Sequence, residues 1–332
     1  MNEKLERVIN LLKERYGDRF LDYMEGTALQ RDLHYDDYIK LETLLSIQKP
    51  ITDYHDEMTF LVYHQQTELW FRLIIHEGER AIRALSDTPC DITNATNAVE
   101  RINHYFSTLI NSFNILIECF STQEFLIFRK ALGSASGFQS TQFRIIEILA
   151  GLERKASPSE SSGSNPENHE TRNQVLPKKE KFYWENLIAD KQQLGGTIPN
   201  FVKLKNKDVA HFNFVGDKVK QSSLRSMFIT IVSQRLSSSK DAVELFETLL
   251  TEGQEKDLIE LAENLLKMDV SITDWKRMHL KVSTKHLAKV SYGTAGSDWV
   301  KYLNKSIAEQ RYFPELYLAN QKLCKTVQIP SD

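Results

Sequence analysis

"QEKDLIELAENLLKMDVSITDWKRMHLKVSTKHLAKV", residues 254–290, decides the fold class. Leu258, Leu261, Leu265, Met268, Ile272, Trp275, His279, Val282 and His286 follow one another at alternating spacings of three and four. That rhythm is the heptad seam of a helix lying along another helix. One long helix is therefore expected over 254–290. The seam is apolar except at His279 and His286, where an imidazole stands in place of a hydrocarbon.

The same feature occurs in "HDEMTFLVYHQQTELWFR", residues 55–72. Phe60, His64, Phe71 and Ile75 are separated by four, seven and four residues, so they share one helical stripe. His64 points where Phe60 and Phe71 point. Further helices are expected from the N-terminus to about residue 18 and over 35–48, 55–85, 92–120, 180–195 and 221–250. A short segment, 121–133, ends at Gly133, and a turn and new helix follow over 134–151. Thirteen glycines and eight prolines are few for 332 residues, so turns are few and elements long. No convincing period-two series marks a strand. The fold class is all-α, with residues 1–332 expected as a single domain. Residues 156–178 are rich in Ser, Asn, Pro and Glu, a composition that buries too little surface to order itself. They read as a mobile surface loop.

Bulk properties exclude several functions. The net charge is −3, so no basic field attracts nucleic acid or an anionic membrane. No apolar run approaches the ~20 residues of a membrane span. The first twenty residues are interrupted by charges and carry an amphipathic stripe, Leu5, Val8, Ile9, Leu12 and Tyr16, unlike a signal peptide. Cys90, Cys119 and Cys324 are odd in number and far apart. They form neither a disulfide framework nor a thiolate zinc site, and a reducing cytoplasm is expected.

The buried histidines admit several readings. A core histidine with both ring nitrogens hydrogen-bonded is the plainest, because an unpartnered buried imidazole costs a few kcal/mol. His286 reads as a core or helix-end residue and His76 as a solvated one. A di-iron bundle wants Glu three residues before His, yet Leu61, Leu73, Arg101, Lys276 and Ser283 occupy those positions. Zinc wants three or four ligands, and His64 with Glu68 supplies two. A large planar cofactor fits better. Haem needs one axial histidine on a rigid helix, an apolar pocket and a polar distal group. His279 and His64 can fill the two histidine roles, with Phe60 and the Trp275 helix as walls.

Longer stretches carry a resemblance. "HDEMTFLVYHQQTELWFRLIIHE" (55–77) and "FRKALGSASGFQSTQFRIIE" (128–147) resemble two hallmark segments of the tryptophan 2,3-dioxygenase family. "YDDYIKL" (35–41), "DWKRMHLKV" (274–282) and "YFPELY" (312–317) are similar to further family segments. The resemblance implies a cytoplasmic, all-α, homotetrameric enzyme with one haem b per subunit. Such an enzyme inserts both atoms of O2 across the indole C2–C3 bond of L-tryptophan, giving N-formyl-kynurenine. It further implies His279 as the proximal iron ligand and His64 as the distal histidine facing the indole N–H. Phe60 and Phe125 would line the indole pocket, and Arg129 would clamp the substrate carboxylate. Ser136 would sit at the haem edge beside the Trp275 wall, and Thr294 at the amino-acid end of the substrate. Tyr35 and Tyr38 would reach a neighbouring subunit's site. The chemistry suits these residue types, since Arg supplies a planar bidentate donor for a carboxylate.

One segment departs from the family pattern. The glycine-rich loop reads "GTAGSDW" over 293–299, with Ala295 in place of a glycine and Asp298-Trp299 in place of Ser-Gly. This keeps a second reading open: a related haem-dependent oxygenase, including a monooxygenase, acting on a substituted tryptophan or indole in a biosynthetic pathway.

Overall fold

The computed structural model describes residues 3–31, 33–133, 135, 137, 140–153, 155–156, 180–181, 222–238, 240–288 and 299–327. Its helices are α1 (Glu3–Tyr16), α2 (Phe20–Leu29), α3 (Tyr35–Ile39), α4 (Leu41–Ser46), α5 (His55–Ser86), α6 (Ile92–Asn114), α7 (Thr122–Phe128) and α8 (Thr141–Ala150). They continue with α9 (Leu224–Arg235), α10 (Ala242–Glu252), α11 (Lys256–Leu287), α12 (Trp299–Glu309) and α13 (Pro314–Val327). The fold is all-α, as expected. The exception among the described residues is a two-residue antiparallel pair, Lys155–Ala156 with Glu180–Lys181. Residues 180–181 are thus extended where a helix over 180–195 was expected, and 182–195 lie outside the described residues. Apart from Ala156, so does the 156–178 segment.

The chain divides into two units, Met1–Lys49 and Pro50–Asp332. In the first, Phe20 is buried, Tyr16 and Tyr23 stack with centroids 4.0 Å apart, and the Lys13 ammonium lies over the Phe20 ring. Leu5 and Val8 of the amphipathic stripe remain exposed in this unit. The helix expected over 35–48 is broken in two because Lys40 adopts a left-handed φ of 55°.

In the second unit α5, α6 and α11 are the frame. The α5 and α11 helices have 32 residues each, about 48 Å at 1.5 Å per residue. The α6 helix packs along both. The seam of α11 is where the sequence put it: Leu258, Leu261, Leu265 and Ile272 are fully buried, and Met268 nearly so. Facing it, Ala95, Val99, Ile102, Phe106 and Leu109 form the buried stripe of α6. Side chains from acidic and hydroxyl residues start several helices. Asp91 caps α6, Ser140 caps α8, and Asp241 accepts two backbone N–H bonds at the head of α10. Pro314 opens α13, a position where a missing N–H costs nothing. The helix expected over 221–250 is two helices. Ser237 turns left-handed at φ 48° and Asp241 begins a new one.

A buried ionic cluster locks α8 to α11 and to the segment before α13. Glu147, fully buried, accepts from Lys276 Nζ at 2.9 Å, from the Tyr312 hydroxyl at 2.8 Å and from Arg144 Nη1 at 2.7 Å. Lys276 also donates to Gln310 Oε1 at 2.9 Å and contacts the Tyr312 oxygen at 2.7 Å. Burial works against charge on Glu147, but Lys276 and Arg144 outweigh it and hold the carboxyl below its ordinary pKa. Burial lowers the Lys276 pKa. Asp269, about two turns before Lys276 on α11, accepts from the Tyr312 N–H at 2.9 Å. Gly151 makes room for this junction. A Cβ there would lie 2.6 Å from Arg225 Cβ and 2.7 Å from the Tyr312 carbonyl oxygen, at a φ of 143°.

Removing one member of such a cluster strands the others. Lys276→Met should cost about 3–5 kcal/mol of folding stability, measured by denaturant unfolding. Replacing Lys276, Glu147 and Arg144 together by apolar residues of similar volume should recover most of that loss.

Candidate functional site

The seam of α11 opens at two consecutive positions. Trp275 and His279 are only half-buried, in contrast to the leucines before them. The space they border is a cavity enclosing about 680 Å³ free of protein atoms, the solvent at its mouth included. On the opposite wall α5 contributes Tyr63, His64, Thr67 and Glu68. Phe113 of α6 and Phe143 of α8 add aromatic surface, and Arg144 and Lys276 bring positive charge. Leu303 and Ser306 of α12 also line it.

The two histidines come from helices far apart in sequence and face the same space. His64 Nδ1 lies 2.7 Å from the Phe60 carbonyl oxygen. A carbonyl accepts only, so Nδ1 carries the proton and the Nε2 lone pair is left available. The Phe60 and His64 ring centroids are 4.1 Å apart. Burial lowers the His64 pKa, against the bond to Phe60 and the charge of Glu68. His279 stacks on Trp275, centroids 5.6 Å apart and planes within 4°. Burial pushes it down to about 4, helped by the electrostatic influence of His64. Both rings are therefore neutral near pH 7, the state in which imidazole nitrogen can ligate a metal. Among the described residues neither ring nitrogen of His279 has a hydrogen-bond partner. The Trp275 indole N–H is buried without one.

Beside this cavity runs a string of aromatic rings. Phe60 lies 5.6 Å from Phe125 and 5.7 Å from Phe128, and the Arg129 guanidinium sits 5.9 Å from the Phe125 ring. Arg129 has no carboxylate partner among the described residues. Its Nε is buried without a hydrogen bond, and burial lowers its pKa. A reciprocal clamp sets this arrangement. The Asp56 N–H donates to Glu124 Oε2 at 3.0 Å, and the Ser121 N–H donates to Asp56 Oδ2 at 2.6 Å. It ties the first turn of α5 to the first turn of α7.

The structure thus gathers Phe60, His64, Phe125, Arg129, Trp275 and His279 into one region. Ser136 and Thr294 lie outside the described residues, as does the 293–298 part of the loop. Tyr35 and Tyr38 belong to the first unit and are 70% and 74% exposed. His286 is a core residue and His76 is exposed, both as read from the sequence. Sequence reasoning passed over Phe113, Phe143, Arg144 and Lys276. A signal existed for Arg144: with Glu147 it forms an i,i+3 pair inside the apolar helix "TQFRIIEILA". Nothing local marked Lys276, which stands between Trp275 and Arg277. Tyr63 was also missed, and burial pushes its phenol up to about 12, so it stays protonated.

Among the described residues no helix is long and apolar enough to cross a membrane. No three His, Cys, Asp or Glu side chains among them are grouped so as to hold a metal ion.

Comparison with known proteins agrees with this picture. The pattern of the tryptophan 2,3-dioxygenase family matches residues 25–181. The tryptophan 2,3-dioxygenase of Geobacillus thermodenitrificans is 30% identical over 297 residues, spanning 90% of this chain and 95% of that protein. That of Bacillus anthracis is 29% identical over 299 residues, with the same coverage. That of Caulobacter vibrioides is 29% identical over 295 residues, 89% of this chain and all of the relative. With the paired-histidine cavity set among three long helices, this likeness along nine-tenths of its length makes the chain a member of the tryptophan 2,3-dioxygenase family.

Proposed function

We propose that this protein binds haem b and inserts both atoms of O2 across the indole C2–C3 bond of L-tryptophan, forming N-formyl-kynurenine. One observation carries the reading: two histidines, His64 on α5 and His279 on α11, border a single aromatic-walled cavity. The donor set suits haem. His279 has ring nitrogens free of protein partners among the described residues, and Phe113, Phe143 and Trp275 offer flat apolar walls. His279 would hold the iron, and Ser136 and Trp275 would flank the ring. When bound, haem iron supplies the activation of dioxygen.

The remaining work falls to side chains. His64 Nε2, with its lone pair exposed by the bond from Nδ1 to Phe60, accepts a hydrogen bond from the indole N–H. It is a poor base. Indole N–H is a very weak acid, and burial lowers the imidazole pKa further from it. Each unit of mismatch costs about 1.36 kcal/mol, so His64 orients the ring and does not remove its proton. Phe60 and Phe125 wall off water. Arg129, which has no carboxylate partner among the described residues, takes the substrate carboxylate in a bidentate pair, and Thr294 attends the amino-acid end.

Tyr35 and Tyr38, exposed in this chain, would complete a neighbouring subunit's pocket in a homotetramer, and the enzyme would work in the cytoplasm. The altered 293–299 loop favours a second reading, oxygenation of a substituted tryptophan or indole, with one oxygen atom as an option. Product analysis separates the two. Aerobic turnover of L-tryptophan should yield N-formyl-kynurenine, and a monooxygenated indole formed only from a substituted substrate would favour the second.

The purified protein should show a Soret band with one haem per chain. His279→Ala should remove stoichiometric haem binding, and retention of a full Soret band would reject the axial assignment. Arg129→Leu should weaken L-tryptophan binding by about 100-fold, the scale of a charge-assisted bidentate pair. Tryptamine, which lacks the carboxylate, should bind the variant within about twofold of the parent. Optical titration of the haem band measures both.

A further inference from the structure

The α6 helix ends in a π-helical turn, Ile115–Cys119. Its carbonyl groups are taken up by the far end of α11. The His286 Nε2–H donates to the Leu116 carbonyl oxygen at 2.9 Å, and the Lys285 ammonium bonds to the Ile117 carbonyl oxygen. Because Leu116 offers only an acceptor, the proton of His286 resides on Nε2 and Nδ1 is the acceptor. The Thr122 hydroxyl donates to it at 2.7 Å. His286 is 4% exposed, and its ring stands 5.3 Å from Phe120 and 6.1 Å from Phe125. Both its nitrogens are thus satisfied, one at the end of α6 and one at the first residue of α7.

Thr122, Phe125 and Arg129 are spaced by three and four, so they share one face of the α7 turn. The bond at Thr122 therefore bears on where the Arg129 guanidinium lies, while Phe125 is held separately by ring contacts with Phe60, Phe120 and Phe128. Seven residues before His286 on the same helix stands His279. We infer that His286, through Thr122, is a positioning residue for the carboxylate clamp, holding Arg129 in register with the helix that bears His279. This rests on the function proposed above, in which Arg129 meets the substrate carboxylate. It adds a residue that touches neither substrate nor haem.

A purely structural histidine would affect all ligands alike, so the test compares two. In His286→Leu, loaded with haem, L-tryptophan binding should weaken about tenfold while tryptamine binding stays within about twofold. The Soret band and haem content should match the parent. Thr122→Val removes only the hydroxyl from the pair and should weaken L-tryptophan about threefold, again without effect on tryptamine. It serves also if His286→Leu does not fold. In an Arg129→Leu background neither change should weaken L-tryptophan further, because the clamp it positions is gone. Equal weakening of both ligands, or unaltered L-tryptophan binding in a folded, haem-loaded variant, would overturn the inference while leaving the dioxygenase reading intact. If the parent itself binds no haem or no L-tryptophan, the functional reading fails and the inference falls with it.

Discussion

Glu147 and Lys276 meet in a part of the molecule with almost no solvent, and the helix that bears the candidate metal ligand takes its rotation from that meeting. A charge buried in protein is tolerable only beside its counter-charge and with its hydrogen bonds made. Lys276 can satisfy this only when α11 presents that face to α8 and to the Tyr312 segment. Trp275 and His279 are one residue before and three after it on the helix, so their directions follow. The ion pair adds little net stability against an apolar alternative. What it does is specify: a slip of the α11 seam by one heptad step would leave a bare carboxylate in the core.

The cavity is a consequence of that rotation. Along most of α11 the heptad seam is filled by leucine and methionine against α6. At Trp275 and His279 the side chains that would close the gap are a tryptophan stacked on a histidine, and the space beyond them stays open. A helix interface that packs tightly for four turns and then opens onto two imidazoles is poorly explained as core alone. Desolvation keeps both rings neutral, which suits ligation of iron on one side and acceptance of an N–H on the other.

The substrate end is organised by different contacts. The Asp56–Glu124–Ser121 clamp joins the starts of α5 and α7, and His286 joins α7 to α11. Between them α7, only seven residues long, is held at its first turn by two neighbours. That suits a short helix with the Arg129 guanidinium at its end, since a helix of that length has little stability of its own.

Periodicity in the sequence was enough for the long helices. The spacings in 254–290 and 55–85 are local properties of one helix face, and burial follows them closely. The oddity of histidine at His64 and His279 was legible for the same reason. The break at Ser237 was not, because a left-handed serine leaves no signature among three consecutive serines. The extended pair at 180–181 was missed because two residues of strand carry no period. The partners of Arg144 and Lys276 were beyond any local pattern. Lys276 and Glu147 are 129 residues apart, and the His286–Thr122 bond spans 164. Side-chain types along one helix tell which face is buried, and so the sequence alone determined an all-α frame and which imidazoles turn inward. Which helices meet, where the seam gapes and what each buried charge finds depend on packing between distant segments, and only the tertiary structure decided those.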